Sequence, residues 1–173
     1  MKKLIIIFFM IVFVLASFFG CAPTQKMVKI PNYDNVWQIH TGEFPDPKDV
    51  SFALTVFYRY WYYYFDEVPL CLDSVMIEWR DNPRYGKGFS ITGNKTSGLL
   101  KGVALSKGYM WVWKGDENRI SSTALIHELI HCAIWCRMGH GDPDHEGIKY
   151  RGWTPKHTEF LYRVNYLLEN KGL

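Results

Sequence analysis

The run Thr123-Ala-Leu-Ile-His-Glu-Leu-Ile-His-Cys-Ala-Ile-Trp135 places two imidazoles and a carboxylate in a stretch that is otherwise almost wholly apolar. Free of glycine and proline, it predicts a helix, with Ser121 or Ser122 to cap its start and Gly139 to end it. Leu125, Leu129, Cys132 and Cys136 form one apolar stripe, and Ile126, Ile130 and Ala133 a second. A helix that is apolar nearly all round must be buried, so the rest of the chain has to fold over it. Each polar group carried inside without a partner costs roughly 2–7 kcal/mol, and this helix carries three. His127 and His131 lie four apart and share a helical face, with Glu128 beside them. That spacing is the His-Glu-x-x-His arrangement, in which two imidazoles hold one zinc ion and the carboxylate acts on its water. A metal ion would satisfy all three groups together; the alternative is a pair of histidines satisfied by hydrogen bonds within the core.

A catalytic zinc site takes three protein ligands and leaves one position open. After the helix comes Gly139-His-Gly-Asp-Pro-Asp-His-Glu-Gly147, a turn-rich loop dense in possible ligands. His145 ranks first as the third ligand. His157 ranks second, since it lies on the apolar stripe of a last helix with Phe160, Leu161, Val164 and Leu168. His140, Asp144 and Glu146 follow.

The motif, the Gly/Asp-rich loop and the thirteen residues between His131 and His145 resemble the SprT-like zincins and the small exported HExxH proteins of bacteria. The resemblance covers roughly Tyr109 to Asn165. It departs from the family where Glu146 follows His145 in place of glycine, and His157-Thr-Glu-Phe160 is a second echo of the same family segment. Arg137 stands where a metzincin would have its third histidine, and Glu159 is the one obvious counterpart of a thermolysin-like glutamate. The resemblance implies zinc as cofactor, a peptide or protein substrate, Glu128 as general base, and a strand before the motif helix that borders the substrate cleft. Tyr109-Met-Trp-Val-Trp113 is the strand in that position. Candidates for a second electrophile are His140, Tyr150, Arg151 and His157.

Lys2 and Lys3 followed by the uncharged apolar stretch Leu4 to Phe19 read as an export signal. The stretch is short for a bilayer span, which needs about 20 residues. Ser17-Phe-Phe-Gly-Cys21 resembles the lipobox of bacterial lipoproteins, although Phe18 replaces the usual aliphatic residue. This resemblance implies that Cys21 is acylated and that the chain is held to the membrane at the outer-membrane or periplasmic face. Residues 1–20 are then the signal, 21–45 a lipid-anchored tether and irregular segment, and 46–173 one domain. The chain has 20 Lys and Arg against 17 Asp and Glu, and two of the 20 are Lys2 and Lys3, so the exported part is close to neutral. That balance speaks against a nucleic-acid partner. With Cys21 lipidated, Cys71 can bridge to Cys132 or Cys136 and leave the other free.

Asp46-Pro47 predicts a helix from about Lys48 to Asp66. Its nine aromatic residues exceed one core-facing stripe: packing on the sheet is one use, and a glycan- or membrane-contacting surface the other. Strands are expected at 74–79, 88–92, 99–106 and 109–113, and a helix from Thr154-Pro155. The expected architecture is α+β and zincin-like, a small, mainly antiparallel sheet packed on the buried motif helix with flanking helices. The expected function is an envelope-tethered zinc metallopeptidase. A non-catalytic zinc-stabilised binding lipoprotein and an amidase acting on cell-wall material are the alternatives.

Overall fold

Residues 24–40, 42–89, 95–115, 119–142, 145 and 152–173 are described in a computed structural model of the chain. Asp46 caps helix α1 (Pro47–Phe65) as its neighbours predict, its carboxylate accepting from the Lys48 N–H at 2.8 Å. Asp66 ends the helix in the left-handed conformation, φ 54°, and its N–H donates to the Tyr62 carbonyl at 2.9 Å. Val50, Ala53, Leu54, Phe57 and Trp61 recur on the helical period and are buried. The motif helix, α2 (Leu125–Met138), has no serine cap. Ala124 holds the N-cap position, while the Thr123 hydroxyl accepts from the Leu125 N–H at 3.2 Å and donates to Ile120 O at 2.7 Å. Ser121 instead bonds the carbonyl of Leu173, tying the last residue to the turn before α2. Gly139, at φ 78°, ends α2, where a side chain would be strained. Helix α3 (Pro155–Glu169) starts at the expected Thr-Pro pair.

The strands are β1 (Lys26–Lys29), β2 (Trp37–His40), β3 (Met76–Arg80), β4 (Arg84–Phe89), β5 (Lys95–Leu100), β6 (Gly102–Ser106) and β7 (Tyr109–Trp113). Five of them form one sheet in the order β1-β2-β3-β7-β6, and β4 and β5 pair apart as a hairpin. The expectation of a mainly antiparallel sheet is corrected. β2, β3 and β7 run parallel to one another, and the two outer pairs, β1/β2 and β6/β7, are antiparallel. The parallel pairs follow from their connections: α1 lies between β2 and β3, the hairpin between β3 and β7, each long enough to return the chain to the starting end. The segment expected as a tether is corrected from Lys26 onward, because β1 and β2 are strands of this sheet; Cys21 and the signal segment lie outside the described residues. The single strand expected at 99–106 breaks at Lys101, and its halves join different sheets.

One face of the sheet, with Ile77, Trp79, Met110 and Val112, meets the three helices in a common core. Gln38 is fully buried there and is satisfied on both sides, donating to Pro45 O at 3.1 Å and accepting from the Trp79 indole at 2.9 Å. Helices α1 and α3 pack through aromatic rings: Phe57 lies edge-on to Phe160 at 5.2 Å and stacks on Trp61 at 5.3 Å. α2 packs on β6 and β7.

Cys71, in a turn after α1, is bonded to Cys136 of α2, their Cα atoms 5.9 Å apart and 65 positions apart in sequence, and Cys132 is free and buried. Such a bridge accords with an oxidising compartment. Among the described residues, no helix is long and apolar enough to cross a membrane. Opening this loop should cost about 2–4 kcal/mol. Thermal melts of Cys71→Ser/Cys136→Ser should show a lower midpoint than wild type, whereas added reductant should leave that variant unchanged.

Candidate metal centre

α2 presents His127 and His131 on one face, and the chain beyond Gly139 folds back to set His145 against them. Two residues in the left-handed conformation make that return, Asp142 at φ 48° and His145 at φ 40°, with the His145 N–H donating to Asp142 O at 3.3 Å. One ring nitrogen from each of the three histidines lies within 4.8 Å of the others. Nε2 of His131 is 3.1 Å from Nε2 of His127 and 2.8 Å from Nε2 of His145. Three nitrogens sharing one tetrahedral ion at 2.0–2.1 Å would stand about 3.3 Å apart, so the two separations from His131 are slightly shorter than an ion requires. The Nδ1–H of His131 donates to the Gly141 carbonyl, which leaves the lone pair on Nε2, facing the cluster.

Electrostatics favour the same use. Burial holds His127 well below the ordinary imidazole range, reinforced by His131 and His145. His131 is pushed down to about 3 by burial and then by His145, with the Gly141 carbonyl working against them. Neutral imidazoles with converging lone pairs are metal ligands in waiting. His145 is 2 % exposed and His131 8 %.

Glu128 turns from the same helix toward the sheet, where its Oε2 accepts from the Ala104 N–H of β6 at 2.7 Å. Lys101 O pairs with the Trp113 N–H across β6 and β7, so by alternation Gly102 and Ala104 aim their backbone groups away from β7. Glu128 therefore takes up a free edge donor of the outermost strand. Gly102 makes room for it: a Cβ there would lie 2.7 Å from Glu128 Cγ and 2.8 Å from Oε1. Burial pushes the Glu128 carboxyl up to about 8, partly offset by the Ala104 hydrogen bond. The expectation that Tyr109–Trp113 borders the cleft is corrected. β7 is an interior strand between β3 and β6, and β6 is the edge strand that touches Glu128.

His157 does not join the cluster. Its Nδ1 accepts from the Thr154 N–H at 3.0 Å and from the Thr154 hydroxyl at 2.8 Å, capping α3, while its ring stacks on Phe65 at 4.4 Å. Its inward position, read from the stripe of α3, is therefore a capping role. His140 Nδ1 accepts from the Asp142 N–H at 3.3 Å, within the returning loop. Glu159 sits on the surface, accepting from the Tyr64 hydroxyl, and Arg137 lies 4.0 Å from Glu67. Asp144, Glu146, Tyr150 and Arg151 lie outside the described residues.

Sequence reasoning overlooked Trp153. Its ring lies 5.0 Å from His127, 5.0 Å from His131 and 4.6 Å from His145, walling the cluster on one side. Its backbone N–H donates to Asp142 and its indole to Thr158 at 2.9 Å, which anchors the wall to both the loop and α3. The available signal was a large aromatic residue directly before the Thr-Pro start of a helix, where nothing in the periodicity requires one.

The chain was compared with known protein families, curated proteins and solved structures. It matches none of them.

Proposed function

We propose that this chain is a zinc-dependent peptidase, exported and tethered to the bacterial envelope through lipid on Cys21. The observation that supports it most is the convergence of three buried imidazoles, His127, His131 and His145, two of them carried by the helix that also carries Glu128. Zinc held there would polarise a scissile carbonyl and lower the pKa of its water toward about 7. Glu128 accepts the proton of the attacking water and returns it to the leaving amine, a transfer for which Oε1 is available because Ala104 holds only Oε2. The outward backbone of β6 gives an extended peptide an edge to pair with, next to that carboxyl. Trp153 closes one wall of the histidine cluster against water.

The test is zinc stoichiometry on the full chain in detergent. One zinc per chain is expected for wild type and His157→Ala, and none for His127→Ala, His131→Ala or His145→Ala. A folded wild-type chain that retains no zinc would sink the reading. Gly102→Ala should separate ligation from chemistry. Its Cβ would also meet Ala124 Cβ at 2.9 Å, so Glu128 has to move. A displacement of about 1 Å can cost about 100-fold, so peptide turnover should fall by that order while zinc stays at one per chain.

A further inference from the structure

The aromatic residues that crowd α1 do not all enter the core. Phe57 and Trp61 do, but Tyr63 is 81 % exposed, and Tyr60, Tyr63 and Tyr64 line an open cleft of about 640 Å³ between α1 and α3. Arg59, Glu159 and Arg163 complete its lining. Glu159 and Arg163 lie four apart on α3, the spacing at which such residues pair. Here the Glu159 carboxylate accepts instead from the Tyr64 hydroxyl at 3.1 Å. Neither Arg59 nor Arg163 has a carboxylate within ion-pair distance among the described residues. The cleft therefore combines tyrosine rings, phenolic hydroxyls and two guanidinium groups without a carboxylate partner among the described residues, that of Arg163 lying 5.9 Å from the centre of the Tyr166 ring. Among the described residues, none of its lining side chains is aliphatic.

We propose that this cleft binds an acidic polysaccharide, with sugar rings laid on the tyrosines and sugar carboxylates paired to Arg59 and Arg163. A pyranose ring offers a face of polarised C–H groups edged by hydroxyls, which matches the negative face and polar rim of tyrosine. Guanidinium groups take carboxylates through two parallel hydrogen bonds. A bilayer or an apolar helix would need aliphatic anchors, which this lining lacks. Single-stranded nucleic acid would need a longer cationic track than two arginines with a carboxylate between them. No residue of the cleft belongs to the histidine cluster, so the site stands apart from the proposed zinc chemistry.

The experiment is calorimetric titration of the full chain, in a sugar-free detergent, with a hexasaccharide of alternating glucuronate and N-acetylglucosamine. Saturable binding is expected, weakened about tenfold or more in Arg59→Gln/Arg163→Gln, as the loss of charge-assisted hydrogen bonds requires. The neutral N-acetylglucosamine hexamer should bind more weakly and be indifferent to the arginine change. Tyr63→Ala should weaken both sugars, and His127→Ala should bind the acidic one as wild type does, whatever its zinc content. The proposal is overturned by any of three results: no saturation at millimolar sugar, equal binding of the neutral hexamer, or tighter binding of a thymidine decamer or of anionic lipid in mixed micelles. Arg59, Tyr63 and Arg163 are exposed, so their variants should fold, and circular dichroism checks this for them and for His127→Ala.

Discussion

Glu128→Gln should abolish peptide hydrolysis while leaving one zinc per chain. Glutamine keeps the length of the side chain, its carbonyl oxygen still accepts from the Ala104 N–H, and His127 and His131 on the same helix are untouched. What disappears is the basic oxygen that takes the proton, and a general base of this kind contributes about 10²–10⁴-fold. Single-turnover assays on an unstructured peptide, with zinc measured on the same sample, read both quantities. The pH profile adds a second reading. Glu128 must be ionised to act, so wild-type kcat/KM should fall as pH drops through its pKa. Burial, partly offset by the Ala104 hydrogen bond, puts that pKa at about 8, and the charge of a bound zinc ion would move it lower, so the acid limb should lie below 8. Any residual hydrolysis in the glutamine variant should lack that limb. Equal rates for the two proteins would place the base elsewhere, and no hydrolysis by either would favour a structural zinc clamp.

Features with local causes were legible in the residues. Asp46-Pro47 and Thr154-Pro155 open helices because capping and the fixed φ of proline act within one turn. The motif helix followed from an apolar run without breakers, and a bridge from Cys71 to one of the two helix cysteines from the small number available, the choice of Cys136 being left to the structure. What escaped was set by distant partners. β2 carries a buried glutamine, which reads as loop until Trp79 is seen to bond it. Strand direction depends on what the intervening segments do, and no local pattern encodes that. Spacing ranked His145 ahead of His157, and His145 is the one that joins the cluster, but spacing did not show what decides the choice. It turns on a non-glycine residue, Asp142, adopting a left-handed conformation and on Thr154 occupying the His157 nitrogen. Glu128 was recognised as a candidate base, but its contact with the edge of β6 needed the sheet order. The aromatic residues of α1 divided, with Phe57 and Trp61 in the core and Tyr62 and Tyr63 exposed.

Removing the metal should leave a chain that is stable only over a narrow range of pH. His131 has its folded pKa lowered from 6.5 to about 3, so the unfolded chain takes up its proton first. The stability that depends on a neutral His131 is present above about 6.5 and is lost as pH falls toward 3, at about 1.4 kcal/mol per pH unit. His127 is lowered in the same direction and adds to the loss. Glu128 acts oppositely. Its folded pKa is raised from 4.5 to about 8, so its contribution is intact below 4.5 and is lost as pH rises toward 8, on the order of 3 kcal/mol by pH 7. Two histidines outweigh one carboxyl below about pH 6.5, so the stripped chain should melt highest near pH 6.5 and lower on both sides. Zinc binds the neutral imidazoles and its charge favours an ionised Glu128, so it should raise the midpoint more at pH 8 than at pH 6. Glu128→Gln should lose the alkaline decline and keep the acid one. Thermal melts of the chelator-treated full chain from pH 5 to 9, repeated with zinc restored, measure all of this. A flat pH profile for the stripped wild type, or the same alkaline decline in Glu128→Gln, would mean that Glu128 and the histidines are not held in the buried, unpaired state described above.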